Sequence, residues 1–378
     1  MSRCSECGKV NSGYCKPCNS AHWKNNFSNW TSGDFNIDEV IQDLQLNANE
    51  RWESLEWIEY SNPVDLKHIA DGGFGSVYNA VWKDGPLKEE RIRKKNYFPW
   101  RKYRYTHHCW DIEKSTWNRH SNWLVAVKKF RKATNVSSEF LNEMRTSLNL
   151  NISDYVNRIY GVTCDPLTRE YAIVTAFQNG GNLRRIIYES SKEITWRRVI
   201  IMLRDISRGL ADIHARNYYH KDFHSANEDI VDKHVYGVLP FVAPEVLLNK
   251  KYSKAADIYG LGIIMYEILS GAPPFIDKEY DQYLALAICA GDRPQVPEYG
   301  PEPYVNLMKR SWDSTIANRP TSDEIWNMLS DWSSMNQDSF QKIGFTYERQ
   351  NQWKERLMAM KENPSRDVIN NMATTKFI

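Results

Sequence analysis

Apolar residues change their spacing several times along this chain, and each change predicts a different element. Ile37, Val40, Ile41 and Leu44 recur at helical spacing, and Asn36 with Glu39 three residues on resembles a capping box, so Asn36 to Tyr60 reads as helical. Trp52, Leu55 and Ile58 form a second apolar set suited to docking on whatever follows. Val125-Ala126-Val127-Lys128 has the alternation of a buried strand, and Tyr171 to Gln178 reads as another strand. Period 3.6 returns from Trp196 to Ala215, a strongly amphipathic helix. The stretch 333–378 is polar, with a helical pattern around Tyr347 to Glu362. The longest apolar run, Tyr259 to Leu269, is broken by Gly260, Gly262, Tyr266 and Glu267 and is too short to span a bilayer.

A chain of 378 residues holds one large domain with a small extra module, and its 42% hydrophobic and 25% charged residues are ordinary for a globular protein. The net charge of +2 argues against nucleic acid as a partner of the whole molecule. The amino terminus lacks an apolar targeting core, so a cytoplasmic, reducing location is expected, with no membrane association and with the seven cysteines as thiols or metal ligands. Four of them stand as Cys4-x-x-Cys7 and Cys15-x-x-Cys18. That spacing suits two knuckles, each giving two thiolates to one tetrahedral Zn²⁺. So short a segment has almost no core, and metal would supply most of its folding free energy.

Ile69 to Val77, Val125-Ala126-Val127-Lys128 and His220-x-Asp222-x-x-x-x-Asn227 stand in series, and together they resemble the protein kinase family, in the style of its tyrosine-kinase-like group. Ile69-Ala70-Asp71-Gly72-Gly73-Phe74-Gly75-Ser76-Val77 resembles the glycine-rich loop between two strands, with Ala70 in place of the first glycine. Val125-Ala126-Val127-Lys128 resembles the strand with the phosphate-binding lysine, and Phe140-Leu141-Asn142-Glu143-Met144 its partner helix. Tyr171 to Gln178 resembles the strand that enters the hinge, and His220-x-Asp222-x-x-x-x-Asn227 the catalytic loop. Ala243-Pro244-Glu245, Asp257 and Arg319 match structural parts of the larger lobe. The resemblance implies an α+β, two-lobed fold, with a small β-rich lobe and a large helical one. It implies that Ile69, Gly72, Gly73, Gly75, Val77, Ala126, Thr175 and Phe177 surround ATP, and that Lys128, paired with Glu143, holds its phosphates. Asp222 would orient a substrate hydroxyl and accept its proton, Asn227 would bind Mg²⁺, Asp257 would cap the catalytic-loop backbone, and Glu245 would pair with Arg319.

One part of the pattern is missing. Only nine residues separate Asn227 from Gly237, where the family places two strands, a docking loop and the metal-binding Asp-Phe-Gly. Glu228, Asp229 and Asp232 are the acids nearby, and none is followed by an aromatic residue and glycine. Two readings stay open: Asn227 is the loop asparagine, or Ala226-Asn227-Glu228 belongs to the segment after the gap. Losing the carboxylate that grips the cation predicts weak or absent phosphoryl transfer, since one lost oxyanion donor alone costs about 10²–10³ in rate. A kinase using another acid for the metal, a pseudokinase that binds partners without catalysis, and a zinc-knuckle adaptor remain as alternatives.

The expected organisation is a zinc knuckle over 1–22, a helical linker over 23–60, a kinase-like domain over 61–332 with a shortened activation segment, and a tail over 333–378. Within the small lobe, residues 83–119 form an insertion with eleven Lys or Arg against five acids, interleaved with aromatic residues. Such a mixture can bind single-stranded nucleic acid. The favoured expectation is a long hairpin whose aromatics pack on each other. Expected cofactors are ATP, Mg²⁺ held weakly or not at all, and Zn²⁺, and the expected partner is a protein.

Overall fold

The computed structural model describes residues 2–4, 6–11, 14–72, 75–88, 90–95, 103–130, 155–178, 183–220, 239–248 and 251–362. They fall into two units, Met1–Phe177 and Gln178–Ile378.

The first unit opens on a two-stranded hairpin, β1 (Ser2–Arg3) with β2 (Val10–Asn11), followed by α1 (Lys16–Asn26) and α2 (Phe35–Asn47). The capping expectation needs correcting. Asp34, not Asn36, is the N-cap of α2, because its carboxylate accepts the amides of Asn36 and Ile37. Helix to Tyr60 is also corrected. Ala48 leaves helical backbone, and the chain makes a turn before β3 (Glu56–Trp57). Gln45 Nε2 ties α2 to the carbonyl of Leu55 at 2.6 Å, and the amide of Ile58 donates to Val162 at 2.9 Å. Apolar residues between Leu55 and Ile58 thus serve an edge strand.

β4 (Pro63–Gly72) and β5 (Gly75–Trp82) form an antiparallel pair. The insertion contains β6 (Glu90–Lys95) paired with β7 (Tyr103–His108), then β8 (Trp110–Asp111) paired with β9 (Thr116–Trp117). Its aromatics pack on each other in part: the Trp110 and Trp117 rings meet edge to face at 5.1 Å. They also pack on α1, with His22 stacked on Trp110 at 3.9 Å and Trp23 on Trp117 at 4.3 Å. The sheet is completed by β10 (Trp123–Phe130), β11 (Ile159–Cys164) and β12 (Tyr171–Ala176), in the order β3-β11-β12-β10-β5-β4. Among the described strands only β3 runs parallel to its neighbour. A Cβ on Gly161 of β11 would lie 2.3 Å from the Glu56 carbonyl, so glycine is what lets β3 approach. One face of this sheet packs Phe130, Ile159 and Ile173 against Ile37, Ile41 and Leu55. The other buries Ala80, Trp82, Val125, Val127 and Val174 around Ile58.

The second unit is helical: α3 (Leu183–Glu189), α4 (Trp196–Ala215), α5 (Pro244–Leu247), α6 (Lys254–Ser270), α7 (Gln282–Ala290), α8 (Glu302–Ser311), α9 (Ser322–Ser334), α10 (Gln337–Lys342) and α11 (Tyr347–Glu362). α6 is buried from Ala256 to Ser270, so its apolar residues encircle it, whereas α4 shows one apolar stripe. Arg184 of α3 pairs with Glu267 of α6 in the interior. Residues read from sequence as a polar tail supply Phe340, Phe345, Trp353 and Leu357 to the same core. No helix among the described residues is long and apolar enough to cross a membrane.

Candidate functional site

Register places the sequence-predicted nucleotide residues of the first unit together. Lys128 lies opposite Val77 on β5 and Ile173 on β12, and Ala126 lies opposite Asn79 and Thr175. Directly opposed residues, and those two apart on a strand, share a face, so Val77, Ala126, Lys128 and Thr175 form one patch. Ile69 falls at the irregularity between His68 and Ala70, where β4 slips against β5. Gly72 pairs with Gly75 at the end of that hairpin, and Phe177 follows β12. A Cβ on Gly75 would sit 1.8 Å from the Lys129 carbonyl, which makes glycine obligatory there. Gly73, Glu143, Asp222 and Asn227 lie outside the described residues.

The neighbours of Lys128 were not legible beforehand. Its ammonium lies 5.3 Å from the ring centroid of Phe130, within cation–π range. Phe130 is in turn buried against Ile37 and Ile41 of α2, so the linker helix supports the strand that carries Lys128. The adjacent Lys129 points to the opposite face, where Nζ donates to Asp165 at 2.8 Å and Tyr60 at 2.6 Å. Burial opposes charge on Asp165, yet the Lys129 ammonium and the Tyr60 hydroxyl hold its carboxyl below the ordinary range. The doubled lysine was visible in the sequence; nothing there pointed to Asp165.

In the second unit Asp257 organises the entry to the catalytic-loop motif. Its Oδ2 accepts the backbone amide of His220 at 2.9 Å and lies 2.9 Å from His214 Nε2, while Oδ1 accepts the Tyr252 hydroxyl. The expected cap on the loop backbone is therefore present at His220. Glu245 and Arg319 form the expected ion pair, bidentate at 2.7 and 2.9 Å, and Arg319 also donates to the carbonyls of Ala255 and Asp313. The guanidinium groups of Arg293 and Arg319 both lie over the Tyr259 ring, at 5.1 and 5.2 Å from its centroid, and burial pushes its hydroxyl up to about 12.

The four N-terminal cysteines converge. Their sulfurs all lie within 4.8 Å of one another, with Cys4 to Cys18 at 3.8 Å and Cys7 to Cys15 at 3.5 Å. A tetrahedron with bonds of about 2.3 Å to sulfur has edges of about 3.8 Å, so the spacing fits zinc. No disulfide competes, since all four are free thiols. The hairpin turn supplies one pair, closed by Cys4 N–H to the Lys9 carbonyl at 2.8 Å and Gly8 N–H to the Cys4 carbonyl at 3.0 Å. The other pair stands at the start of α1, where Cys15 is the N-cap and the helix dipole favours thiolate. The Lys9 amide holds the Cys7 thiol down to about 7, whereas burial pushes Cys15 and Cys18 up. Four such thiols need a cation to ionise together.

With this geometry in place, the comparisons decide the family. The model of the protein tyrosine and serine/threonine kinase family matches residues 106–235 and 227–329. The chain belongs to that family. A putative serine/threonine-protein kinase/receptor of Acanthamoeba polyphaga mimivirus is 29% identical over 231 residues, covering 54% of this chain and 14% of the relative. Of two Dictyostelium discoideum proteins, the probable serine/threonine-protein kinase drkB is 26% identical over 230 residues, covering 54% of this chain and 33% of its own. The dual specificity protein kinase shkB is 25% identical over 232 residues, covering 53% of this chain and 35% of its own. The kinase-family chain thus spans between about a seventh and a third of these relatives. The two-lobed α+β expectation agrees with the family and with the sheet-rich and helical units described above.

Proposed function

We propose that this chain binds ATP through a kinase domain whose phosphoryl transfer is weak or absent, and that zinc holds its N-terminal module. The observation that carries the reading is the nine-residue interval between Asn227 and Gly237. The two family matches both include residues 227–235, which supports a missing stretch at that point. The shared face of Val77, Ala126, Lys128 and Thr175 supports retention of a nucleotide surface. In this reading Ile69, Gly72, Gly73, Gly75 and Phe177 complete that surface and Glu143 pairs with Lys128. Asp222 orients a protein hydroxyl, with serine and threonine favoured by the relatives' names. Asn227 is left as the one motif residue for Mg²⁺, too little to neutralise charge developing on the transferred phosphoryl.

The four-sulfur cluster supports Cys4, Cys7, Cys15 and Cys18 as zinc ligands, and a reducing, cytoplasmic setting would keep them available. Transfer of labelled γ-phosphate from Mg-ATP tests the catalytic claim. The unmodified chain is expected to show little or none, and a variant with a reinserted strand-turn-strand bearing Asp-Phe-Gly is expected to gain it. Robust transfer by the unmodified chain, abolished by Asp222→Ala, refutes the reading and favours Asp229 or Asp232 as metal ligand. A rise in melting temperature with ATP separates nucleotide binding from a purely adaptor role.

A further inference from the structure

Four basic side chains lie within electrostatic reach of one another where the linker, the base of the insertion and β11 come together. Arg51 lies in the turn after α2, Lys88 and His120 flank the Leu87–Arg119 bridge that closes the insertion, and Arg158 immediately precedes β11. Arg158 Nη2 reaches the carbonyl of Arg51 at 3.4 Å, and its guanidinium lies 5.3 Å from the ring centroid of Tyr160. The Nε–H groups of Arg51 and of Arg158 are both buried without an acceptor. Neither side chain forms an ion pair with a described carboxylate. Glu56, which acts on Arg158 through space, is already bridged to Arg119, and Arg119 also donates to the Gly85 carbonyl at 2.8 Å.

Guanidinium groups out of water lose solvation, and two that share a site also repel. The same crowding reaches His120, held below the ordinary imidazole range by burial first and then by Lys88, Arg51 and Arg158. Tyr160 and the already engaged Glu56 offset only part of this cost, since burial still holds the Arg158 guanidinium below its ordinary range. An incoming group with several oxygens and negative charge would offset it, by accepting the idle N–H bonds and placing charge between the cations. A planar guanidinium fork matches the oxygens of a phosphoryl group, and Lys88 adds a point charge at the exposed side.

We propose that Arg51, Lys88, His120 and Arg158 form an oxyanion site for a phosphoryl group, presented either as free orthophosphate or on a phosphorylated side chain. The site is separate from the Lys128 face. By bridging three segments, its ligand would fasten the linker and the insertion to the sheet.

The test is thermal unfolding at constant ionic strength with orthophosphate, O-phosphoserine or sodium chloride, using the full chain carrying Lys128→Met so that the nucleotide face does not contribute. A saturable rise with either phosphate compound but not chloride is expected. Arg158→Gln and Arg51→Gln should each weaken it at least tenfold, and Arg158→Lys, which keeps the charge but not the fork, should fall between. In anion-free buffer Arg158→Gln should melt no lower than its parent, since a poorly compensated cation has gone. A stronger response to O-phosphoserine assigns the site to a phosphorylated side chain, and an equal or weaker one to the free anion. A rise matched by chloride, or kept by both glutamine variants, means an adventitious ion only and overturns the proposal, whatever nucleotide binding shows.

Discussion

Trp353 stacks on Trp196 with ring centroids 4.3 Å apart and planes inclined by 22°, and its indole N–H donates to the Ile268 carbonyl at 2.9 Å. This joins α11 to the first residue of α4 and to the buried α6. Gln350 adds a cap, its side-chain oxygen accepting the Trp196 amide at 3.2 Å. Trp353→Ala should cost about 3–5 kcal/mol, the usual range for emptying a buried aromatic site. Denaturant unfolding measures it. A loss below about 1 kcal/mol would mean that α11 is dispensable to the core.

The Glu245–Arg319 pair yields a second expectation. Removing one partner strands the other charge in the interior, so Glu245→Ala or Arg319→Ala should destabilise by about 3–5 kcal/mol. Because Arg319 also holds the carbonyls of Ala255 and Asp313, its removal should cost more than that of Glu245. Equal midpoint shifts in urea for the two variants would contradict this ordering.

The Lys129–Asp165 pair, with side chains 16% and 9% exposed, predicts a pH dependence of stability. The Asp165 carboxyl is held below its unfolded value, so its contribution is present above about pH 4 and is lost as pH falls further. Burial works against the Lys129 ammonium, but Asp165 and Tyr60 raise it overall, so its contribution holds below about pH 10 and fades above. Asp165→Asn should therefore cost about 3 kcal/mol at pH 7, the low end for a buried pair, and progressively less below pH 4. Melting temperatures of both proteins from pH 3 to 7 check the convergence.

Chelation gives a fourth test. If metal gathers the four sulfurs, its removal frees α1, and the stacks of His22 on Trp110 and of Trp23 on Trp117 should loosen. A strong chelator should lower near-ultraviolet circular dichroism from tryptophan, and Cys18→Ser should reproduce the loss. Unchanged spectra with one equivalent of zinc released would separate the metal from the docking of α1.

The parts of this fold written in short-range pattern were legible. Trp196–Ala215 and Tyr347–Glu362 were read at the bounds the structure gives, because helical periodicity is local. Glu245 with Arg319, and Asp257 beneath His220, followed from family motifs although they are distant in sequence. What escaped reading depends on contacts with no local signature. The helix expected to reach Tyr60 stops at Asn47 because β3 finds a partner in β11, a pairing made possible by Gly161 a hundred residues later. The insertion's tryptophans looked like a self-contained set, and only packing shows them receiving His22 and Trp23. Phe130 as the support under Lys128, and Asp165 as the partner of Lys129, likewise needed three dimensions.

Because β3 comes from the segment ahead of Pro63, that segment is one border of the sheet. A fragment starting at residue 61 would bare the backbone rim of β11 and strip the cover from Phe130 and Ile173. Open rims of this kind recruit other chains. Preparations of the kinase region cut at its motif boundary should therefore clump, where the intact chain stays dispersed.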